Sequence, residues 1–307
     1  MDVNIKYMIK KVRNLISAIL FISVLFAGCA EKGKKMGLDD FDDNKDDAGY
    51  EYLPGEVKPA GSLPCFAGAY YRKEVSSTDY WLGVGGKVVL PKITFDQDRK
   101  NPDKFQQYLD NPSVYLGGNA NGQETDIGMT WEVIRDQSGS VTPDRRAFRP
   151  FLRRTGYQPS GQQSNYMNAP ADDQYYWYEG DEIEISIKII RDGWLLFTVE
   201  GMGKKFQQEY QCDGYKLNSK AEFKRVNAID QVANEGKPVQ STKTRVENSE
   251  WKETYLYRNV NNQLTKAYMH PGRFTDMRCP NPKYHVITDS ANDKTLGAEK
   301  ITIDGGR

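Results

Sequence analysis

The clearest structural signal in the sequence is the run Glu182-Ile183-Glu184-Ile185-Ser186-Ile187-Lys188-Ile189. Isoleucine alternates there with polar residues, so one face of an extended strand meets a core and the other face meets water. Asp192-Gly193 then leads into Trp194-Leu195-Leu196-Phe197-Thr198-Val199. An Asp-Gly pair between two such runs is typical of a β-hairpin. The region therefore predicts two neighbouring antiparallel strands.

Segments of the same kind continue on both sides of this hairpin, separated by turn sequences such as Gly85-Gly86 and Asn119-Ala120-Asn121-Gly122. Strands are predicted for residues 66–72, 80–90, 113–117, 124–135, 147–153, 174–178, 182–190, 194–200, 204–212, 221–229, 250–258 and 284–287. A helical turn is predicted near residues 102–109, and a polar connection spans 230–244. The pattern predicts an all-β fold, a β-sandwich of two antiparallel sheets.

The N-terminal residues have the layout of an export signal. Lys10, Lys11 and Arg13 precede an apolar run from Leu15 to Phe26, and small residues follow before Cys29. The run covers about 12 residues, whereas a helix that spans a membrane needs about 20. Because a cysteine stands at the cleavage point, the segment resembles a bacterial lipoprotein signal. The resemblance implies that Cys29 is acylated and becomes the mature N-terminus.

The alternative is an ordinary cleaved signal peptide with an incidental cysteine. With the lipoprotein interpretation, the expected location is the bacterial cell envelope. The protein would be lipid-anchored and extracytoplasmic, at the outer membrane or the cell surface.

Three parts follow from this interpretation. Residues 1–28 are the predicted signal peptide. Residues 29–60 are predicted to form an acylated cysteine followed by a disordered acidic tether, and residues 61–307 are predicted to form the sandwich with a C-terminal extension. The tether is rich in Lys, Asp and Gly and has almost nothing to bury. Its aspartates at 39–47 lack the Gly and Glu that an EF-hand loop requires at its sixth and twelfth positions, so no calcium site is predicted.

The balance of charges argues against a nucleic-acid-binding protein, and the number of cysteines limits the disulfides. The chain has 42 Lys plus Arg and 42 Asp plus Glu, so it lacks the basic excess of nucleic-acid-binding proteins. Besides Cys29, the cysteines are Cys65, Cys212 and Cys279, which allow at most one disulfide in any of three pairings.

Metal and histidine chemistry are poorly supported. No cysteines form a CxxC pair, and the two histidines are His270 and His285, which argues against a Cys/His zinc site and a Ser-His triad. His270 belongs to a His-Pro-Gly turn, where a solvated or capping role is expected. No cofactor is expected.

Glu124 and Asp126 form the clearest candidate for chemistry. In an extended strand they point to the same face, with Cα atoms about 6.6 Å apart. Two adjacent carboxylates can share a proton, which suits acid/base work or the binding of a polar ligand. The alternative is a solvated acidic face of a strand.

Glu124-Thr125-Asp126-Ile127 resembles the catalytic strand of family 16 glycoside hydrolases. That family has a concanavalin A-like jelly-roll fold and cleaves β-glucans with retention. The resemblance implies that Glu124 corresponds to the nucleophile and Asp126 to its supporting residue. The position of the general acid is occupied by Gly128 or Met129, depending on the spacing, and neither can donate a proton. Retaining hydrolysis needs a second carboxyl about 5 to 5.5 Å from the nucleophile.

A second resemblance points to glutamic peptidases, which have the same jelly-roll fold and use a Gln/Glu pair. It depends on Tyr80-Trp81-Leu82-Gly83-Val84-Gly85-Gly86, on Trp131-Glu132 and on Gly180-Asp181. The catalytic Gln has no matching motif in this sequence, so no residue is carried over from that family.

Further candidates for ligand contact are basic and aromatic. If extended, residues 149–153 send Arg149, Phe151 and Arg153 to one face, where the guanidinium groups could bind acidic sugars or pair with Glu124 and Asp126. The predicted stacking platforms for sugar rings are Trp81, Tyr115, Trp131 and Tyr176. The alternative for each platform is a place in the core.

The sequence therefore predicts a lipoprotein that binds a glycan in a concave cleft without cleaving it. Asn119, Glu124, Asp126 and Arg149 would supply its polar contacts. The alternatives are a glycoside hydrolase with Glu124 as nucleophile and an acid from another strand, and an adhesive envelope protein without a small ligand. The expected partners are a polysaccharide or glycan and a membrane reached through the lipid anchor. No nucleic-acid partner is expected, and we expect a monomer.

Overall fold

A computed structural model of the chain describes residues 49–104, 107–135, 141–289 and 294–307, with the side chains of all these residues except 132–135 and 141–146. The predicted signal peptide, Cys29 and the tether up to residue 48 lie outside the described residues. In the part of the chain that the structure describes, none of the helices has the length and apolar character to cross a bilayer.

Nearly all regular structure in the described residues is extended. The strands, in chain order, are β1 (Ala69–Ser76), β2 (Trp81–Val89), β3 (Lys92–Thr94), β4 (Asp110–Ala120), β5 (Gln123–Arg135), β6 (Val141–Arg154), β7 (Asn165–Asn168), β8 (Glu182–Arg191), β9 (Trp194–Gly201), β10 (Lys204–Gln211), β11 (Ala221–Gln231), β12 (Arg245–Val260), β13 (Gln263–Tyr268), β14 (Phe274–Cys279), β15 (His285–Thr288) and β16 (Glu299–Asp304). Short 3₁₀ turns lie at Gln97–Arg99, Gln158–Ser160, Asp173–Tyr175, Pro282–Tyr284 and Lys294–Leu296.

The strands form two antiparallel sheets. A seven-stranded sheet has the order β14-β1-β11-β4-β5-β6-β7. A nine-stranded sheet has the order β10-β9-β8-β2-β12-β16-β15, and β13 and β3 also pair with the long strand β12. This arrangement confirms the predicted all-β sandwich of two antiparallel sheets.

The predicted hairpin is β8 and β9, which pair from Glu184 with Glu200 to Arg191 with Trp194. Gly193 lies at the turn with φ of +77°, a left-handed conformation that glycine adopts without steric cost. Isoleucines 183, 185, 187 and 189 are all buried, as their alternation predicts. They pack against apolar residues of the seven-stranded sheet such as Leu116 and Ile127, so the main core lies between the two sheets.

A cluster of charged residues is also buried between the sheets. Arg72 of β1 and Arg225 of β11 contact Glu74 and Glu299, with Arg72 to Glu74 at 2.7 Å and Arg225 to Glu74 at 2.8 Å. Arg225 also bonds Glu299, and Arg72 lies 3.0 Å from that carboxylate. Because both signs of charge are present, each buried ion has a partner.

Some predicted elements differ in the structure. The strand predicted at 174–178 is replaced by the 3₁₀ turn Asp173–Tyr175, because the Asp172 side chain accepts a hydrogen bond from the Gln174 amide at 3.0 Å. Sequence analysis did not predict β3, β7, β13, β14 or β16. Most of these are short strands at the margins of the sheets, where few alternating apolar residues are required.

Part of the predicted tether contacts the sandwich. The Tyr50 ring stacks on His270 with centroids 4.5 Å apart, and Glu56 pairs with Arg273 at 2.7 Å with its side chain only 1% exposed. The packed region therefore begins before residue 61. His270 is buried rather than solvated, and its Nδ1 accepts a hydrogen bond from the Gly272 amide at 3.2 Å, which agrees with the capping role.

Candidate functional site

An open cleft lies on the face of the seven-stranded sheet that is turned away from the nine-stranded sheet. Its floor is formed by side chains at every second position of the strands. The side chains at the positions between them point to the opposite face and pack in the main core. Its volume is about 840 Å³. The residues that line it are Phe66, Ala67, Gly68, Ala69, Lys73, Asn111, Ser113, Tyr115, Glu124, Asp126, Thr130, Phe151, Arg153, Tyr166, Asp230, Gln231, Ala233, Glu235, Gly236 and Lys237.

Glu124 and Asp126 both line the cleft, as the sequence predicts from their shared strand face. They do not face each other directly, because Lys224 of β11 lies between them. Its Nζ is 2.5 Å from Glu124 Oε1 and 2.8 Å from Asp126 Oδ1. Burial alone lowers the pKa of Lys224, but the two carboxylates outweigh burial and raise it. The two acids and Lys224 therefore form a charge-compensated group.

Gly117 leaves the room that the Lys224 side chain needs beside Asp126. Gly117 of β4 pairs with Asp126 on one side and with Lys224 on the other. A Cβ at position 117 would lie 2.6 Å from Lys224 Cε and 2.8 Å from Asp126 Oδ1. Any larger residue there would push the ammonium away from the carboxylates.

Arg153 extends the charged group toward the rim. One of its terminal nitrogens lies 3.1 Å from Asp126 Oδ2 and the other 3.2 Å from Glu235 Oε1. Burial alone lowers the pKa of Arg153, but Asp126 and Glu235 outweigh it and raise the pKa. The predicted ion network therefore exists between Arg153 and Asp126. Sequence analysis missed Lys224, which stands in a predicted strand beside the core-facing Arg225.

Four aromatic rings line the cleft. Tyr115 and Phe151 lie in the floor with ring centroids 5.9 Å apart, and Tyr166 of β7 stacks on Phe151 at 6.1 Å. Phe66 stands on the opposite wall, stacked on Tyr71 at 4.2 Å. Tyr166 is 55% exposed and Phe66 is 43% exposed, so solvent reaches a large part of both side chains. Of these four rings, only Tyr115 was a predicted platform.

The remaining predicted platforms do not stand in the cleft. Trp81 is fully buried, and its indole N–H donates to Ser77 Oγ at 3.3 Å. Tyr176 is 2% exposed and packs beside Ala147. These two predictions are wrong, because Trp81 packs in the main core and Tyr176 is buried in a separate small cluster with Ala147.

Trp131 and Arg149 line a second recess of about 290 Å³ rather than the cleft itself. Trp131 is 9% exposed and packs on Phe95 at 4.4 Å. The recess shares Asn111, Thr130 and Tyr166 with the cleft, so the two adjoin each other.

Asn119, another predicted contact, does not line the cleft. Its Oδ1 accepts a hydrogen bond from the Gly122 amide at 3.2 Å and so stabilises the turn between β4 and β5. The Asn119 side chain therefore serves the turn, and its contact with a ligand stays a prediction.

Asp230 and Lys73 line the cleft, were not predicted as site residues, and have shifted pKa values. Burial raises the pKa of Asp230 to about 6, although its Oδ2 accepts a hydrogen bond from Ser113 Oγ at 2.7 Å. Burial and then the nearby Lys224 lower the pKa of Lys73. Its Nζ lies 5.6 Å from the ring centroids of both Phe66 and Tyr71.

The rim of the cleft is built from two distant segments of chain. The Gly236 amide donates to the Ala67 carbonyl at 3.0 Å. Gly68 has φ of +111°, and a Cβ there would lie 2.4 Å from the Asn234 carbonyl oxygen. Only glycine therefore allows the segments to approach so closely.

A disulfide fixes one of these segments. Cys65 bonds Cys279 at the end of β14, next to Phe66, and Cys212 is free and buried. The structure thus selects one of the three pairings that the sequence leaves open. In the described part of the chain, no group of three or more His, Cys, Asp and Glu side chains is arranged to hold a metal ion.

No protein-family model matches the chain, and no curated protein matches it. Among solved structures, it is similar to scytalido-glutamic peptidase bound to a transition state analog inhibitor, with 12% identity, a TM-score of 0.42, and 76% of this chain and 97% of that chain covered. It is also similar to the peptidase SCP-B of the eqolisin family, with 10% identity, a TM-score of 0.41, and coverage of 76% and 97%.

A further match is the β-porphyranase BpGH16B from the human gut bacterium Bacteroides plebeius, with 10% identity, a TM-score of 0.15, and 54% of each chain covered. These matches are too distant to assign a function to the chain.

Proposed function

We propose that this protein binds an extracellular glycan in the cleft of the seven-stranded sheet and does not cleave it. The observation that carries the proposal is the pair of exposed rings, Phe66 and Tyr166, on opposite walls of a polar cleft. Sugar rings have apolar faces and polar edges, so they stack on aromatic side chains while their hydroxyl groups form hydrogen bonds.

The floor between the two rings suits the polar edges of a sugar. Asn111, Ser113 and Thr130 offer hydroxyl and amide groups, and Glu124 is 44% exposed at its side chain. The volume of about 840 Å³ is within the range of sites that hold small ligands, and the adjoining second recess would extend the site for a longer oligosaccharide.

Several features favour binding over hydrolysis. Gly128 and Met129, which take the position of the general acid in the resemblance to family 16, carry no ionisable group, and Met129 is buried. Asp230 is held by Ser113, which pairs with Thr130, six positions from Glu124 and thus about 20 Å along the strand. That spacing does not fit the separation of about 5 to 5.5 Å that retaining hydrolysis requires. Asp126 lies much nearer to Glu124, but the Lys224 ammonium contacts both carboxylates and Arg153 also contacts Asp126, so Asp126 is placed as an ion-pair partner and not as a proton donor.

The finer parts of the proposal concern the fold family and the location. We take the sandwich to be of the concanavalin A-like jelly-roll type, as the sequence motif at 124–127 implies. We also take the protein to be anchored in the cell envelope by an acylated Cys29. Labelling with a fatty-acid analogue tests the anchor, since wild-type protein should incorporate the label and Cys29→Ser should not.

Isothermal titration calorimetry with oligosaccharides of β-glucans, host glycans and uronic-acid polymers tests the binding function. Phe66→Ala and Tyr166→Ala should each weaken binding about tenfold, the scale of one lost stacking contact. Leu264→Ala is a matched control, because Leu264 is 56% exposed but belongs to the nine-stranded sheet. The absence of binding to every glycan would refute the proposal, as would equal losses in the control.

A further inference from the structure

Lys73 is a cation in the cleft that lies beside two aromatic rings, while the carboxylates of Glu124, Glu222 and Asp126 act on it at longer range. Its Nζ lies 5.6 Å from the centroids of Phe66 and Tyr71, whose rings are stacked on each other. Among the described residues, no carboxylate lies within ion-pair distance of this ammonium. The side chain is partly buried and lines the cleft beside the exposed face of Phe66.

The acidic residues nearest to the centre of the cleft already have cationic partners. Lys224 contacts Glu124 and Asp126, and Arg153 contacts Asp126 and Glu235. These pairs reduce the repulsion that an incoming anion would meet from the acids of the cleft.

The other acid of the floor is remote from Lys73. Asp230 pairs with Ala69 in the register of β1 and β11, which is four residues, or about 13 Å, from Lys73 along the strand. The end of the cleft near Phe66 therefore presents an ammonium that no carboxylate of the described residues contacts directly.

We infer that Lys73 and Phe66 together form a subsite for an acidic sugar, in which the ring stacks on Phe66 and its carboxylate contacts the Lys73 ammonium. The inference rests on the proposed function and adds the ligand class, a glycan that contains uronic acid. The lowered pKa of Lys73 agrees with it, because burial and Lys224 both disfavour the ammonium and a bound carboxylate would relieve that cost.

Pairs of ligands that differ only in charge measure the contribution of the sugar carboxylate to binding. Oligogalacturonate and oligomannuronate, each compared with its fully methyl-esterified form, differ within each pair in charge but keep the same sugar rings. Calorimetry at low and moderate salt should give tighter binding of at least one acid than of its ester. The preference should shrink as salt rises, since salt screens the ion contact.

Variants of the protein test whether the sugar carboxylate contacts Lys73. Lys73→Met keeps the apolar length of the side chain and should weaken binding of the acid about tenfold, the scale of one charge-assisted contact, with binding of the ester unchanged. Lys73→Arg should retain the preference for the acid. Lys205→Met changes the net charge equally on β10 of the other sheet, so it should leave both affinities unchanged.

The outcomes separate this inference from the proposed function. If neutral glycans bind through Phe66 and Tyr166 but neither acid is preferred over its ester, the inference is wrong and the binding function stands. Equal weakening by Lys73→Met and Lys205→Met would also overturn it, because the effect would then be long-range. If no glycan binds, both proposals fail.

Discussion

Replacing Lys224 with methionine removes the ammonium that Glu124 and Asp126 share. The Lys224 side chain is 11% exposed and that of Asp126 is 10% exposed, so the lost interaction is largely shielded from water. Glu124 is 44% exposed and can recover solvent contacts. The variant therefore leaves mainly one buried carboxylate without its closest cation.

The size of the effect follows from this partial burial. Breaking a buried ion pair by removing one partner costs about 3 to 5 kcal/mol, and Arg153 remains 3.1 Å from Asp126 to offset part of the loss. We expect the free energy of unfolding to fall by about 3 kcal/mol. For a domain of this size, that corresponds to a decrease in Tm of about 9 °C.

Urea denaturation at pH 7 measures the change. The double variant Lys224→Met/Asp126→Asn should recover stability relative to Lys224→Met alone, since the buried charge is gone.

Two results would refute the reasoning. A loss below about 1 kcal/mol would mean that the group behaves as a solvated surface cluster. A failure of the double variant to recover stability would mean that the methionine disturbs packing rather than charge.

Further predictions concern the edge of the sandwich near β14. Burial lowers the pKa of His285 to about 4, below the ordinary value of 6.5, so the unfolded chain binds a proton first as the pH falls. Stability should therefore be complete above pH 6.5 and should drop by about 3 kcal/mol between pH 6.5 and 4. Urea denaturation across that range should show the drop, and His285→Gln should flatten it; a curve that is unchanged in the variant would contradict the assignment. Reducing the disulfide between Cys65 and Cys279, or replacing both with serine, should lower the free energy of unfolding by about 4 kcal/mol and weaken glycan binding through Phe66, as thermal denaturation and calorimetry would show. Unchanged affinity after reduction would mean that the disulfide does not position the ring.

The sequence predicts the sheets well where apolar and polar residues alternate strictly, as in the isoleucines of β8. It also predicts that Glu124 and Asp126 share a face and that Arg153 joins them, because strand periodicity alone determines those positions. The wrong predictions of aromatic platforms and the missed residues of the cleft have a common physical cause. Both faces of the seven-stranded sheet carry apolar residues, with Leu116 on the core side and Tyr115 in the cleft, so the pattern does not show which face is open.

The aromatic platforms illustrate the same limit. Trp81 is of a residue type that often stacks on sugars, but it is buried. Phe66 and Tyr166 are exposed: Phe66 lies in an irregular segment, and Tyr166 lies in a short strand at the margin of the sheet. Lys224 could not be identified as the partner of the acids, because its strand pairs with β4 and not with β5. Contacts across two strands depend on the order of strands, which local sequence does not encode.

The two exposed rings of the cleft, Phe66 and Tyr166, come from separate parts of the chain, and neither belongs to the central strands. Phe66 precedes β1 and is held by a covalent link, while Tyr166 is carried by the outermost strand β7. Each can therefore be exchanged in the course of evolution without disturbing the interior that folds the domain. Lineages that meet different polysaccharides could diversify at these two positions and keep the same scaffold, so variation among related proteins should concentrate there.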